Sequence, residues 1–162
     1  MRIAVSACLL GEACRYDGRS KPCARVQELG ADGHELVPVC PEVAGGLPTP
    51  RTPCEIVRAP WMESKKAHTA DERSWTILDA SGTDRTAAYA RGAQAELARA
   101  KEAGCELAIL KAKSPSCGSG EVYDGTFSGT LVPGWGIAAA AFRDAGITVI
   151  DETADFSRLA NG

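Results

Sequence analysis

The chain has 162 residues, a formal charge of −3 and no apolar run near the roughly 20 residues that a membrane-spanning helix requires. A chain of this length can bury the core of one domain without disulfides or structural metal, and its mild negative charge excludes a broad polyanion-binding surface. Stability therefore leaves seven cysteines unexplained, and their odd number, irregular spacing and the strand-like start Met1-Arg2-Ile3 predict a reduced, cytoplasmic protein.

Apolar patterning predicts a strand over 2–7, a Gly/Arg/Asp-rich loop, a helix over 22–30 and a strand over 35–39. Residues 41–60 hold five of the nine prolines and the pair Gly45-Gly46, which reads as an ordered, irregular loop. The polar stretch 61–73 reads as an exposed lid or flap. Trp75 to Asp79 suits a short strand, and a long helix capped by Thr83 or Asp84 runs to a stop at Gly104. Tyr89, Ala93, Leu97 and Ala100 form its apolar stripe, while Arg91, Glu96, Arg99 and Glu102 face elsewhere. A strand over 106–111, a cysteine loop, a hairpin around Tyr123-Asp124-Gly125-Thr126, a helix over 135–145 ending at Gly146 and a strand over 147–151 complete the chain.

This alternation implies a single α/β domain, a mainly parallel, Rossmann-like sheet flanked by helices and carrying a Pro/Gly-rich loop insertion. Residues 1–152 form the domain and 153–162 a C-terminal tail. In such sheets ligands sit beyond the carboxyl ends of the strands. Cys8, Cys40 and Cys117 each follow a predicted strand, so residues 32 and 77 positions apart converge on that edge.

Three converging thiolates without a matched fourth ligand suit an iron–sulfur cluster with one open iron better than structural zinc, which favours four ligands and short Cys knuckles. Inert buried thiols or a redox pair such as Cys8/Cys14 are the competing readings. Cys23, Cys54 and Cys105 read as packing residues, because free cysteine behaves as a small hydrophobe. Cys14, in Cys14-Arg15-Tyr16-Asp17-Gly18, is either a ligand or part of the pocket wall.

Six motifs in order carry a wider resemblance: Val5-Ser6-Ala7-Cys8-Leu9-Leu10-Gly11, Cys14-Arg15-Tyr16-Asp17-Gly18, Pro38-Val39-Cys40-Pro41-Glu42, Gly45-Gly46-Leu47-Pro48-Thr49-Pro50-Arg51, Lys113-Ser114-Pro115-Ser116-Cys117-Gly118 and Tyr123-Asp124-Gly125-Thr126-Phe127. Over about residues 1 to 152 the chain resembles the domain-of-unknown-function family 523, whose characterised members are thiouracil desulfidases. The resemblance implies a [4Fe–4S] cluster held by Cys8, Cys40 and Cys117, with Cys14 as the competitor of Cys8, and a fourth iron open to the substrate's sulfur. It implies Glu42 and Ser114 as the catalytic pair.

Such a site would hydrolyse the C=S bond of a small thiolated pyrimidine, free thiouracil or 4-thiouridine monophosphate, and release sulfide without redox change. Glu42, two residues from Cys40, serves as base, and Ser114 relays a proton or holds the attacking water. Glu42 as a loop cap and Ser114 as a turn residue are the plain structural readings. Asp17, Arg51, Lys113 and Ser116 are the expected substrate contacts. Asp17, Arg51 and Asp124 could equally tie loops together, Lys111 and Lys113 could be a solvated strand end or accept a phosphate, and a helix starting near Trp135-Gly136 could offer its amides. The expected partner is a small molecule, with no large nucleic acid or membrane, and the protein a monomer or small homo-oligomer. A thiol-based oxidoreductase and a noncatalytic nucleotide- or metal-binding module are the alternatives.

Overall fold

A computed structural model of the chain describes residues 1–58 and 75–159. The lid expected at 61–73 lies outside the described residues.

Four strands form a parallel sheet: β1 (Arg2–Ser6), β2 (Glu35–Val39), β5 (Leu107–Leu110) and β8 (Thr148–Asp151), in the order β2-β1-β5-β8. Their alternation explains why both faces are covered. Ile3 and Val5 of β1 and Leu107 and Ile109 of β5 pack with Val26 and Leu29 of α1 (Ala24–Ala31) on one face. Ala4, Ala108 and Leu110 face the other way, onto Ala100 of α3 (Thr86–Glu102) and Ala139 and Phe142 of α4 (Ile137–Asp144). Strands buried on both sides read as continuous apolar runs, which is why they stand out in the sequence.

Residues 41–60 depart from the expected irregular loop. They contain α2 (Pro41–Ala44), one helical turn started by Pro41, and β3 (Cys54–Arg58), which pairs antiparallel with β4 (Trp75–Asp79). Pro53 and Pro60 flank β3 and suppress its strand signal. A second hairpin joins β6 (Ser119–Tyr123) and β7 (Leu131–Trp135). Trp135 thus belongs to a strand, and the helix expected from 135 begins at Ile137. The two hairpins share a core with α3, in which Ile56, Ile77, Val122 and Tyr89 are buried together.

The apolar stripe of α3 is observed, but Glu96 is a correction: it is 2% exposed and faces inward. The helix starts at Thr86 with Arg85 at the N-cap, not the expected Thr83 or Asp84; Asp84, one position earlier, accepts the Thr86 N–H at 2.8 Å. The expected tail is packed as far as Leu159: Phe156 is buried beneath the Arg25 guanidinium, and Leu159 O meets His34 Nε2 at 3.0 Å. No helix among the described residues is long and apolar enough to cross a membrane.

Candidate functional site

Beyond the carboxyl ends of β1, β2 and β5 lies a cavity of about 470 Å³. Each strand ends in a cysteine-bearing turn. Cys8 sits in a single 3-10 turn after β1, Cys40 immediately precedes α2, and Cys117 closes the turn after β5. All three line the cavity, as do Cys14, Glu42, Arg51, Lys113, Ser114 and Ser116. Asp17 does not: it accepts the Arg19 N–H at 3.0 Å and shapes its own loop. Cys54, expected as packing, also lines the cavity, whereas Cys105 is buried in the main core and Cys23 packs beside α1.

The seven cysteines are free thiols. Cys14 stands within hydrogen-bonding reach of Cys8 and Cys40. Its bond with Cys40 favours the thiolate, but the bond with Cys8 and burial prevail and push it up to about 11. The Cys14 contact, then burial, drive Cys40 far above the ordinary thiol range. Burial raises Cys117 to about 12 against the opposing hydrogen bonds of Ser6 and Ser116. Among the described residues no group of three His, Cys, Asp or Glu side chains has the arrangement of a single-ion site.

Two glycines set the position of Glu42. A Cβ at Gly45 would lie 2.1 Å from Ala88 O, and one at Gly92 would lie 1.7 Å from Pro41 O, so α2 rests directly on the backbone of α3. That approach brings Glu42 to Tyr89, whose hydroxyl donates to Oε1 at 2.8 Å. Arg51 Nε donates to the same oxygen at 3.2 Å, and Ser116 Oγ donates to Oε2 at 3.0 Å. It also lets Glu96 accept the Cys40 N–H at 2.8 Å. Burial, then the Glu42 charge, push the Tyr89 phenol far above its ordinary range, so it acts as a donor.

Ser116, 1% exposed, is the junction of the site: its hydroxyl bonds Glu42, lies 3.0 Å from Ser114 Oγ and 3.5 Å from Cys117 Sγ. Ser114 Oγ accepts the N–H groups of Ser116 and Cys117 at 3.2 and 3.1 Å, so it is both a turn residue and a member of the hydroxyl chain. The turn is seated on α4, where Gly136 leaves no room for a Cβ, 2.5 Å from Ser116 C. The first amides of α4 are consumed there: Ile137 N–H is accepted by Pro115 O, and those of Ala138 and Ala139 by Ser116 O. They are not available to a phosphate, contrary to the expectation from sequence.

The loop-tying reading of Arg51 is observed. Besides Glu42 it holds Cys14 O at 2.9 Å and Pro48 O at 3.1 Å. Lys111 is neutralised by Glu152 at 2.8 Å. Lys113 is exposed, lines the cavity and has no carboxylate partner among the described residues. Its φ of 69° and that of Phe127, 57°, are the positive values among described non-glycine residues, and both residues line this cavity. Such backbone strain is characteristic of functional sites. Tyr89 and Glu96 escape sequence reasoning because one looks like stripe and the other like surface. Phe127 escapes because its conformation depends on a contact from another hairpin.

The 2-thiouracil desulfurase family model matches residues 3–154. The chain is 44% identical over 150 residues to the uncharacterized protein YbbK of Bacillus subtilis (strain 168), covering 93% of this chain and 95% of that one. Its fold is similar to the solved structure of the [4Fe-4S]-dependent thiouracil desulfidase TudS, with a TM-score of 0.77 and 42% identity over 94% of this chain and 91% of that one. Sequence match and shared architecture over almost the whole domain together mean that the chain belongs to the 2-thiouracil desulfurase family.

Proposed function

We propose that the protein is a [4Fe–4S]-dependent desulfidase that hydrolyses the C=S bond of a small thiolated pyrimidine to C=O with release of sulfide. The observation that carries this reading is the convergence of Cys8, Cys40 and Cys117 on one cavity with Glu42, which is linked through Ser116 to Cys117. The donor set fits a polynuclear cluster: Cys8, Cys40 and Cys117 line one cavity and can each meet a different iron, and raised thiol pKa values mean that loading the site releases protons. Cys8, Cys40 and Cys117 would hold the cluster. Bound, it supplies an open iron that polarises the thiocarbonyl as a Lewis acid.

The chain's own groups carry the water and the protons. Glu42 takes a proton from the water that attacks the ring carbon. Tyr89 and Arg51 occupy Oε1 and Ser116 one lone pair of Oε2, which fixes the carboxylate and leaves Oε2 a lone pair for the proton. Ser116 donates to Glu42, so the Ser114 hydroxyl donates to Ser116, and the chain Ser114–Ser116–Glu42 holds the carboxylate in place, from which the proton taken from water passes to the departing sulfur as the C–S bond breaks. Water and C=S become C=O and hydrogen sulfide, with no electron transferred.

A thiol-based oxidoreductase would require a nucleophile with a lowered pKa, and the raised values at Cys14, Cys40 and Cys117 point the other way. Lys113 and Arg15 at the cavity support a nucleotide over a free base, since both are cationic and neither is paired to a carboxylate among the described residues. Anaerobic reconstitution should give about four irons per chain and turnover of 4-thiouridine monophosphate or 2-thiouracil to its oxo product, with the nucleotide preferred. Reduced protein that binds no iron would remove this reading.

A further inference from the structure

The Tyr123-Asp124-Gly125-Thr126-Phe127 motif has no part in the reaction described above, yet it reaches the same cavity. Asp124 N–H is accepted by Thr130 O at 3.0 Å, which closes the loop between β6 and β7. Asp124 Oδ1 accepts from the Thr126 amide at 2.9 Å and the Thr126 hydroxyl at 2.6 Å. The loop then leans onto β3 of the other hairpin, where a Cβ at Gly125 would lie 2.7 Å from Ile56 O. Glu55 fixes this contact: its Oε1 accepts both the Gly125 N–H at 3.0 Å and the Phe127 N–H at 3.2 Å.

The consequence is a phenyl ring in an unusual setting. Phe127 is 39% exposed, lines the cavity and has a left-handed backbone with φ 57°. An L side chain adopts that conformation only where its surroundings impose it. The other exposed aromatic of the cavity, Tyr16, carries the Arg15 guanidinium 5.8 Å from its ring centre, whereas the Phe127 ring has no aromatic or cationic partner among the described residues. Ordinary packing would bury such a ring, and ordinary loop chemistry would place glycine or asparagine there.

We propose that Phe127 is the stacking platform for the substrate's heterocycle, and that Glu55 is the positioning residue that holds it there. This rests on the desulfidase reading of the cavity. A planar thiolated pyrimidine offers a π-face irrespective of its exocyclic substituents, so the platform selects flat heterocycles as a class and leaves the choice among them to polar contacts. Phe127→Ala keeps a Cβ and hence the backbone cost, so it removes the ring alone.

The test uses reconstituted holoenzyme with 4-thiouridine monophosphate, measuring KM, kcat, iron content and the affinity for the oxo product. Phe127→Ala should raise KM, and weaken product binding, roughly 5- to 150-fold, with iron content unchanged and kcat reduced far less. Phe127→Tyr should restore KM. Glu55→Ala should raise KM in the same direction, whereas Glu55→Gln, which keeps a carbonyl oxygen for both amides, should stay near wild type. The inference is overturned if wild type turns over and Phe127→Ala leaves KM and product affinity within about twofold, a result that leaves the desulfidase reading intact. It also falls, together with that reading, if wild-type holoenzyme neither turns over nor binds the product.

Discussion

The two walls of the cavity are held by different kinds of contact. The sheet wall, with Cys8, Cys40 and Cys117, hangs on strand ends and on glycines pressed against helix backbone, so its groups are fixed by the fold. The hairpin wall, with Glu55 and Phe127, is fixed by side chain to backbone hydrogen bonds between strand β3 and the β6–β7 loop, neither of which belongs to the parallel sheet. Under the proposed function chemistry belongs to the first wall and recognition to the second, and variants on each should separate kcat from KM. The largest effect belongs to Glu42→Gln, which keeps the shape and removes the proposed base. We expect kcat to fall by about 10²- to 10⁴-fold with iron content unchanged, measured on reconstituted protein; a loss below tenfold would move the base elsewhere. No hairpin-wall substitution should approach that loss in kcat.

The next effect tests the glycine seam beneath the sheet wall. Gly92→Ala places a methyl 1.7 Å from Pro41 O, where neither backbone can yield without shifting α2. Overpacking of this kind costs on the order of 3 kcal/mol, which for a domain of this size lowers Tm by roughly 6–12 °C. Thermal melting of the apoprotein measures it, and because α2 carries Glu42 and follows Cys40, iron binding should weaken in parallel. A neutral Gly92→Ala would mean that Glu42 is not held by the seam.

The contrast between the walls also marks how far sequence reasoning reached. Strands β1 and β5 are buried on both faces, the edge strands β2 and β8 are partly buried, and all four read directly as apolar runs; the cysteine after three of them located the cavity edge before any contact was visible. Glu42 and Ser114 followed from the resemblance, and Cys14 remained open between ligand and lining; the cavity contains it with the other three. The hairpin wall was largely hidden. Strand β3 is five residues between prolines, its register comes from β4 across the chain, and Phe127 is informative only through its φ and its bond to Glu55. Periodicity sees one element at a time, and these features exist only between elements. Lys111 shows the same limit, since its charge is visible in sequence while its neutralisation by Glu152 is not.

The smallest effects decide what Glu96 does. Its carboxylate accepts the Cys40 N–H at 2.8 Å and also meets Arg99 Nη1 at 2.7 Å, so its burial could serve the site or merely complete an ion pair. The Arg99 side chain is 54% exposed, and solvent screens its half of the pair. Glu96→Ala leaves the Cys40 amide without an acceptor and should cost about 1–3 kcal/mol, with iron binding weakened because the amide belongs to a proposed ligand. Glu96→Gln retains an acceptor and should recover most of that loss. Arg99→Ala should cost less than about 1 kcal/mol and leave iron binding unchanged, because the carboxylate keeps its bond to Cys40 and gains water in place of the guanidinium. Denaturant melts and iron titrations of the three variants measure this order. If Arg99→Ala instead matched Glu96→Ala in both readouts, the carboxylate would be acting through the ion pair, and the position of Cys40 would owe nothing to α3.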